Sequence, residues 1–233
     1  MANFFNLTLD TIGPASPSIA IDNNATYATS ALVMATIGTS DTDKTGYQMK
    51  FWGDIDLTWA KTNGVAIPTA TSISEANAQW LTFTTSKQLQ LAAGDGSKTV
   101  YCKLRDDVYN ESAQVSDAIT LDTTKPVVTI SGPDVSRVSK ISGKDTVAFT
   151  FSVDSIFKAY KVKVVTAGGA LENTGAQIDT ANGSTNMSGT GSYPKTTPIS
   201  CTINGADLEA ASSGDGAKIV KVFVQDEAGN WSV

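Results

Sequence analysis

The side chains with the most chemical potential in this 233-residue chain are carboxylates. Asp95, Asp106, Asp107, Asp215, Asp226 and Glu227 gather at turn-like stretches, and clustered oxygens are what calcium takes, six to eight ligands at a time. Asp41, Asp43, Asp54 and Asp56 form a second acidic group. Within Asp54-Ile55-Asp56 the two carboxylates are two residues apart, so on extended backbone they point the same way, an arrangement open to a metal or a sugar. Spacing argues against the first group. Asp95 and Asp106 stand at opposite ends of one predicted strand, and about 3.3 Å per residue puts roughly 20 Å or more between them. The first group reads better as turn residues whose side chains cap nearby backbone amides, and the second as a solvated polar turn. No metal and no cofactor is expected.

Histidine is absent. That removes the commonest general base and the commonest imidazole ligand, so no catalytic residue is assigned and the chain is expected not to be an enzyme. Cys102 and Cys201 sit at non-equivalent places and are expected to be free thiols. A formal charge of −6 and a pI near 4.6 leave no basic stripe for nucleic acid. No apolar run approaches the roughly 18 residues of a membrane span, and the N-terminus lacks the charged and apolar regions of a signal peptide. Trp52, Trp59 and Trp80 are candidates for a protein-contact surface or a sugar-stacking platform, or else they cover one end of a core. Phe4 and Phe5, in the arm 1–6, are apolar residues ahead of the first predicted strand. They either pack on the first module or insert into a neighbouring subunit.

The elements that carry these residues are repeated. Gly94-Asp95-Gly96-Ser97-Lys98-Thr99-Val100, followed by Asp106, Asn110 and Ser112, recurs 120 residues later as Gly214-Asp215-Gly216-Ala217-Lys218-Ile219-Val220 with Asp226, Asn230 and Ser232. Leu9-Asp10-Thr11 with Pro14 recurs as Leu121-Asp122-Thr123 with Pro126, and Tyr47–Phe51 recurs as Tyr160–Val164. Val33, Ala35 and Ile37 match Val147, Phe149 and Phe151 in the same order. These segments alternate with period two and read as strands with one buried and one wet face. Val100, Cys102 and Leu104 share one face with Lys103 and Arg105 opposite, as Val220, Val222 and Val224 do with Lys221 and Gln225. Gly-Asp-Gly is a turn before the strand, and Asp106–Asn110 and Asp226–Asn230 are hairpin tips after it. Helix is expected only as a turn or two at 74–79 and 206–211. Two stretches break the repeat: the Trp-bearing insertion 53–79 and the Gly/Ser-rich segment 166–198, an irregular length of chain that is often functional or mobile.

These motifs resemble the bacterial and phage immunoglobulin-like repeats, and the resemblance covers most of both halves. It implies an all-β chain of two tandem immunoglobulin-like β-sandwich domains, 1–122 and 123–233. The antibody-type pattern is not followed: Cys102 has no partner among Val33, Ala35 and Ile37, and Val100 stands where a tyrosine corner would be. The resemblance further implies a non-enzymatic structural or adhesion protein of a tailed-phage virion. Such a protein decorates the exterior of capsid, neck, tail or baseplate in multiple copies and is assembled in the host cytoplasm. Its partners would be capsid or tail subunits, with weak attachment to a host-surface glycan. The alternative is a bacterial cell-surface adhesin or carbohydrate-binding module.

Overall fold

The computed structural model describes residues 5–233, and the chain divides into two compact units, Met1–Thr123 and Thr124–Val233. In unit 1 the strands run β1 Ser18–Ile21, β2 Tyr27–Ala28, β3 Leu32–Gly38, β4 Gln48–Gly53, β5 Leu81–Thr82, β6 Ser86–Gln90, β7 Gly96–Arg105 and β8 Val115–Leu121. Two sheets form, β1-β3-β6 and β2-β8-β7-β4-β5. In unit 2 β9 Val128–Ser131, β10 Thr146–Val153 and β14 Ile199–Asn204 make one sheet in the order β14-β10-β9. The other is built on β11 Phe157–Val165, which pairs with β12 Ala176–Gln177, β13 Ser188–Tyr193 and β15 Ile219–Asp226. Each pair of sheets encloses its own core. Val33, Ala35, Ile37, Met49, Phe51, Val100, Cys102 and Leu104 are buried in unit 1. Phe149, Phe151, Tyr160, Val162, Val222 and Val224 are buried in unit 2. These are the period-two positions, and each fully buried Val or Phe contributes about 1.5–3 kcal/mol before entropy is subtracted.

The repeated acidic residues build the same device twice. Asp106 accepts from the backbone N–H groups of Val108 (3.0 Å) and Asn110 (2.8 Å) and from Asn110 Nδ2 (2.9 Å). Asp226 accepts from Gly229 N (2.7 Å), Asn230 N (2.8 Å) and Asn230 Nδ2 (3.0 Å). The serine two residues further on closes the turn: Leu104 N donates to Ser112 Oγ and Val224 N to Ser232 Oγ, both at 3.0 Å. The tips reach into water but the residues that brace them do not. Asp106, Ser112, Asp226 and Ser232 are all buried.

Three features depart from the sequence reading. First, the outer faces of β4–β7 and β11–β15 are covered. Lys50, Trp52, Lys163 and Phe223 point away from the cores yet are buried. The covers are the two non-repeated stretches. Second, the insertion 53–79 holds a helix, α1 Leu57–Thr62, capped by Asp56, besides the short 3-10 turn Glu75–Asn77. Third, the Gly/Ser-rich segment 166–198 is not structureless. It supplies β12 and β13, and Ile178, Ser184 and Met187 within it are buried. Tyr193 at the end of β13 stacks on Phe157 at 4.8 Å between ring centres and meets Tyr160 edge-on at 5.5 Å. The expected turn at 206–211 is α2, Gly205–Ala211, capped by Asn204.

Candidate interaction surface

Of the candidate residues singled out in the sequence, Trp80 joins a surface cluster of charged and aromatic side chains on unit 1, with Lys50 lying over both it and Trp52. Chain leaving β4 turns at Gly53, where φ is +108° and a Cβ would lie 2.4 Å from the Thr99 carbonyl oxygen. It then crosses back over the outer face of β4 and β7, placing Glu75 and Trp80 above the strands. Lys103 Nζ donates to Glu75 Oε1 at 2.7 Å and to Glu111 Oε2 at 3.3 Å. Lys50 Nζ lies 3.2 Å from the same Glu75 oxygen. The Lys103 hydrogen bond, against a smaller opposing effect of burial, holds the Glu75 carboxyl below its usual range, and it raises Lys103 in return.

Beside this ionic knot runs a ladder of rings and cations. The Trp80 ring has Lys50 Nζ at 4.5 Å and Arg105 Cζ at 4.4 Å from its centre. Arg105 also lies 4.3 Å from the centre of the Tyr109 ring, and its Nε donates to Gln48 Oε1 at 2.6 Å. A guanidinium held between two aromatic faces has lost its rotamer freedom before any partner arrives, and each cation–π contact contributes about 0.5–1 kcal/mol where exposed. Tyr109 is 65% exposed. Its φ of +70° is a backbone state that costs a non-glycine residue about 1–2 kcal/mol. Unit 2 places Gly229 at the equivalent position, with φ +112°. Tyr109, which sequence reading did not single out, could have been found by the offset of 120 that sets a tyrosine against a glycine.

Trp52 is buried and stacks on Tyr101, with 5.8 Å between ring centres and planes 16° apart. Trp59 lies on α1 and packs against the unit 1 core. These two tryptophans hold the cover in place, so the three do not form one flat platform. Phe5 is 83% exposed, while Phe4 lies outside the described residues.

Most of the acidic side chains singled out accept from backbone amides and hydroxyls. Asp54 Oδ2 accepts from Thr99 N at 2.9 Å and Asp56 Oδ1 from Trp59 N at 2.7 Å. Asp41 Oδ2 accepts from Ala15 N, Thr39 Oγ1 and Tyr47 Oη, each at 3.0 Å. The Ala15 amide leads in holding that carboxyl below the usual range. Asp43 accepts from Thr45 N at 2.9 Å. Asp95 accepts from both the N–H and the hydroxyl of Thr123. Among the described residues no three His, Cys, Asp or Glu side chains group as a metal would require, and no helix is long and apolar enough to cross a membrane.

No family model matches the chain, and no curated protein matches it. Among solved structures it is similar to the fibronectin(III)-like modules of Clostridium thermocellum CbhA, at 10% identity and a TM-score of 0.44 over 93% of this chain and 90% of that one. It is also similar to the chitinase ChiA74 from Bacillus thuringiensis, at 13% identity and a TM-score of 0.30 over 92% of this chain and 30% of that one. Both units are immunoglobulin-like β-sandwiches. The sheet orders and the repeated closing turn carry that assignment.

Proposed function

We propose that this chain is a non-enzymatic structural and adhesion protein on the exterior of a tailed-phage virion, present in many copies and bound to neighbouring virion proteins through unit 1. The observation that carries the binding role is the Trp80–Arg105–Tyr109 stack. It combines the three residue types that dominate protein-interface hot spots, preset in position and ending in a strained, exposed tyrosine. The virion setting rests on the resemblance of both halves to phage immunoglobulin-like repeats. Many copies per particle would turn weak single contacts into useful avidity.

Mass spectrometry of purified particles tests this reading. The chain is expected among the virion proteins, and Arg105→Ala is expected to lower its incorporation while the purified protein stays folded. Absence from particles, or full incorporation of both Arg105→Ala and Tyr109→Ala, refutes it. The exposed Tyr109 ring also favours a second reading, a bacterial cell-surface adhesin or carbohydrate-binding module. Saturable binding on a glycan array, lost in Tyr109→Ala, would select that reading.

A further inference from the structure

The cations on the outer face of unit 1 are not equally provided for. Lys50 and Lys103 share Glu75, at 3.2 and 2.7 Å, and both lie near Glu111, at 3.8 and 3.3 Å. The backbone of Glu111 bridges to that of Arg105, yet its carboxylate is drawn to the two lysines. Asp106, next in sequence, directs its carboxylate to the closing turn. Arg105 itself makes no ion pair among the described residues. Its Nε is taken by Gln48. Its two terminal amines, all of whose N–H groups are donors, have no acceptor among the described residues.

The fold does not ask for this arrangement. The offset of 120 puts Gln225 of unit 2 at the position of Arg105. Its Nε2 donates to the Gly229 carbonyl at 3.0 Å, so that side chain closes on its own turn. An arginine with two rings against it is therefore an addition to the module and not part of its frame. Trp80 and Tyr109 cover the flat faces of the guanidinium, and an acceptor must approach its edge. With Nε occupied, the edge that remains is that of the two terminal nitrogens, which matches the two oxygens of one carboxylate. Apolar surface adjoins it: Tyr109 is 65% exposed and Val108 53% exposed.

We propose that Arg105 binds a carboxylate of a partner protein, an aspartate or glutamate side chain seated end-on against its terminal amines, with an apolar neighbour of that residue covering Val108 and Tyr109. The inference rests on the reading of the Trp80–Arg105–Tyr109 stack as a protein contact and names the chemistry of the partner. A fork of two parallel charge-assisted bonds gives geometric selection as well as affinity. Beside two rings the pair is less screened than on open surface. An acidic sugar offers the same carboxylate but surrounds it with hydroxyls, which leave Val108 uncovered. The aliphatic side chain favours a peptide.

A library of end-blocked short peptides, probed with the purified full chain, tests this. The expected binders share an aspartate or glutamate beside an apolar residue. Replacing that acid by its amide should weaken binding about 10- to 100-fold, the loss of one charge-assisted fork. Arg105→Lys keeps the charge but removes the fork, and should lose about tenfold or more. Its thermal unfolding should match that of the unmodified chain, as Gln225 at the equivalent position implies. The chain has two arginines, Arg105 and Arg137. Their Nε–H signals can be followed separately by NMR, and the peptide should shift only that of Arg105. Arg137→Lys should bind as the unmodified chain does. Three results overturn the proposal. Binding that is lost in Tyr109→Ala but survives both the amide peptide and Arg105→Lys leaves the contact surface standing and removes the carboxylate from it. Binding of uronic or sialic acids alone, lost in Arg105→Lys, makes the partner an acidic glycan. No binder in the library, or binders indifferent to both Tyr109→Ala and Arg105→Lys, removes the protein contact as well.

Discussion

Replacing Asp226 by alanine tests how the closing turn holds a sandwich together. The carboxylate accepts three hydrogen bonds, from Gly229 N, Asn230 N and Asn230 Nδ2. Asp226 and Asn230 are both buried. A hydrogen bond to a charged acceptor contributes about 1.5–3 kcal/mol, and a buried donor that loses its acceptor costs about 1–3 kcal/mol. Two donors shielded from water at the lower end of the first range put the cost of Asp226→Ala at about 3 kcal/mol. Asp106 also accepts three bonds in unit 1, the two from Asn110 matching those from Asn230 and the third coming from Val108 N, but Val108 is exposed and Asn110 only half-buried. Water can take over at least one donor there, so Asp106→Ala should cost about 2 kcal/mol. Hydrogen exchange read peptide by peptide by mass spectrometry separates the two units within the intact chain. Exchange from the slowest amides of β15 should accelerate about 100-fold in Asp226→Ala, since about 1.4 kcal/mol is a factor of ten. Exchange from β7 should accelerate less in Asp106→Ala. An acceleration under tenfold in β15, or a larger effect in unit 1 than in unit 2, would refute the claim that these carboxylates brace their units in proportion to the burial of their donors.

Three further outcomes are expected. Asp207 is fully buried on α2 and accepts from Asn182 N, Asn182 Nδ2 and Ser184 N. Burial pushes its carboxyl up, but the donations from Ser184 and Asn182 outweigh that and hold it below its ordinary value. A depressed folded value means that its contribution is whole above the unfolded pKa of about 3.9 and is lost as pH falls through the folded value. Urea titrations from pH 6 down to pH 2 should show part of the acid loss of stability vanish in Asp207→Asn. Burial pushes the Cys102 and Cys201 thiols up to about 12, so neither should react with iodoacetamide at pH 8 in the native chain, and both should react in urea. Tyr109→Gly relieves a left-handed backbone position, so thermal unfolding should show unit 1 unchanged or more stable by up to about 1 kcal/mol. A loss of more than about 2 kcal/mol would mean that the ring serves the fold and not a contact.

The closing turns were legible because identical residues make identical local hydrogen bonds in both copies, and a bond four residues long is visible in a sequence. The alternation of Val100, Cys102 and Leu104 was legible because burial on one face has a period of two. A second repeated device escaped notice. Asp22 and Asp134 lie 112 residues apart and accept from Met34 N and Ala148 N, 12 and 14 residues along the chain. The helix α1 was hidden because it is only six residues long, and Asp56, expected in a solvated turn, instead caps it by accepting from the amide of Trp59. Strand β13, Ser188–Tyr193, has two glycines and weak strand preference. Its pairing with β11 and the seat of Tyr193 against Phe157 override that preference. The covered outer faces were not legible at all, since Lys50 and Lys163 find their partners, Glu75 and the Glu172 carbonyl, 25 and 9 residues away.

Those covers divide the labour of the module. The strand pair beneath, β4 with β7 and β11 with β15, is the same in both copies, down to the lysine at Lys50 and Lys163. The layer above is a tryptophan-bearing helix and turn in one copy and a glycine-rich ribbon in the other. Selection can therefore exchange the outer layer without disturbing the hydrogen-bonded frame, provided the replacement offers an oxygen to one amine and enough bulk to keep water off it. A graft of the segment that follows β4 into the position after β11 would be a laboratory version of what duplication has already done here.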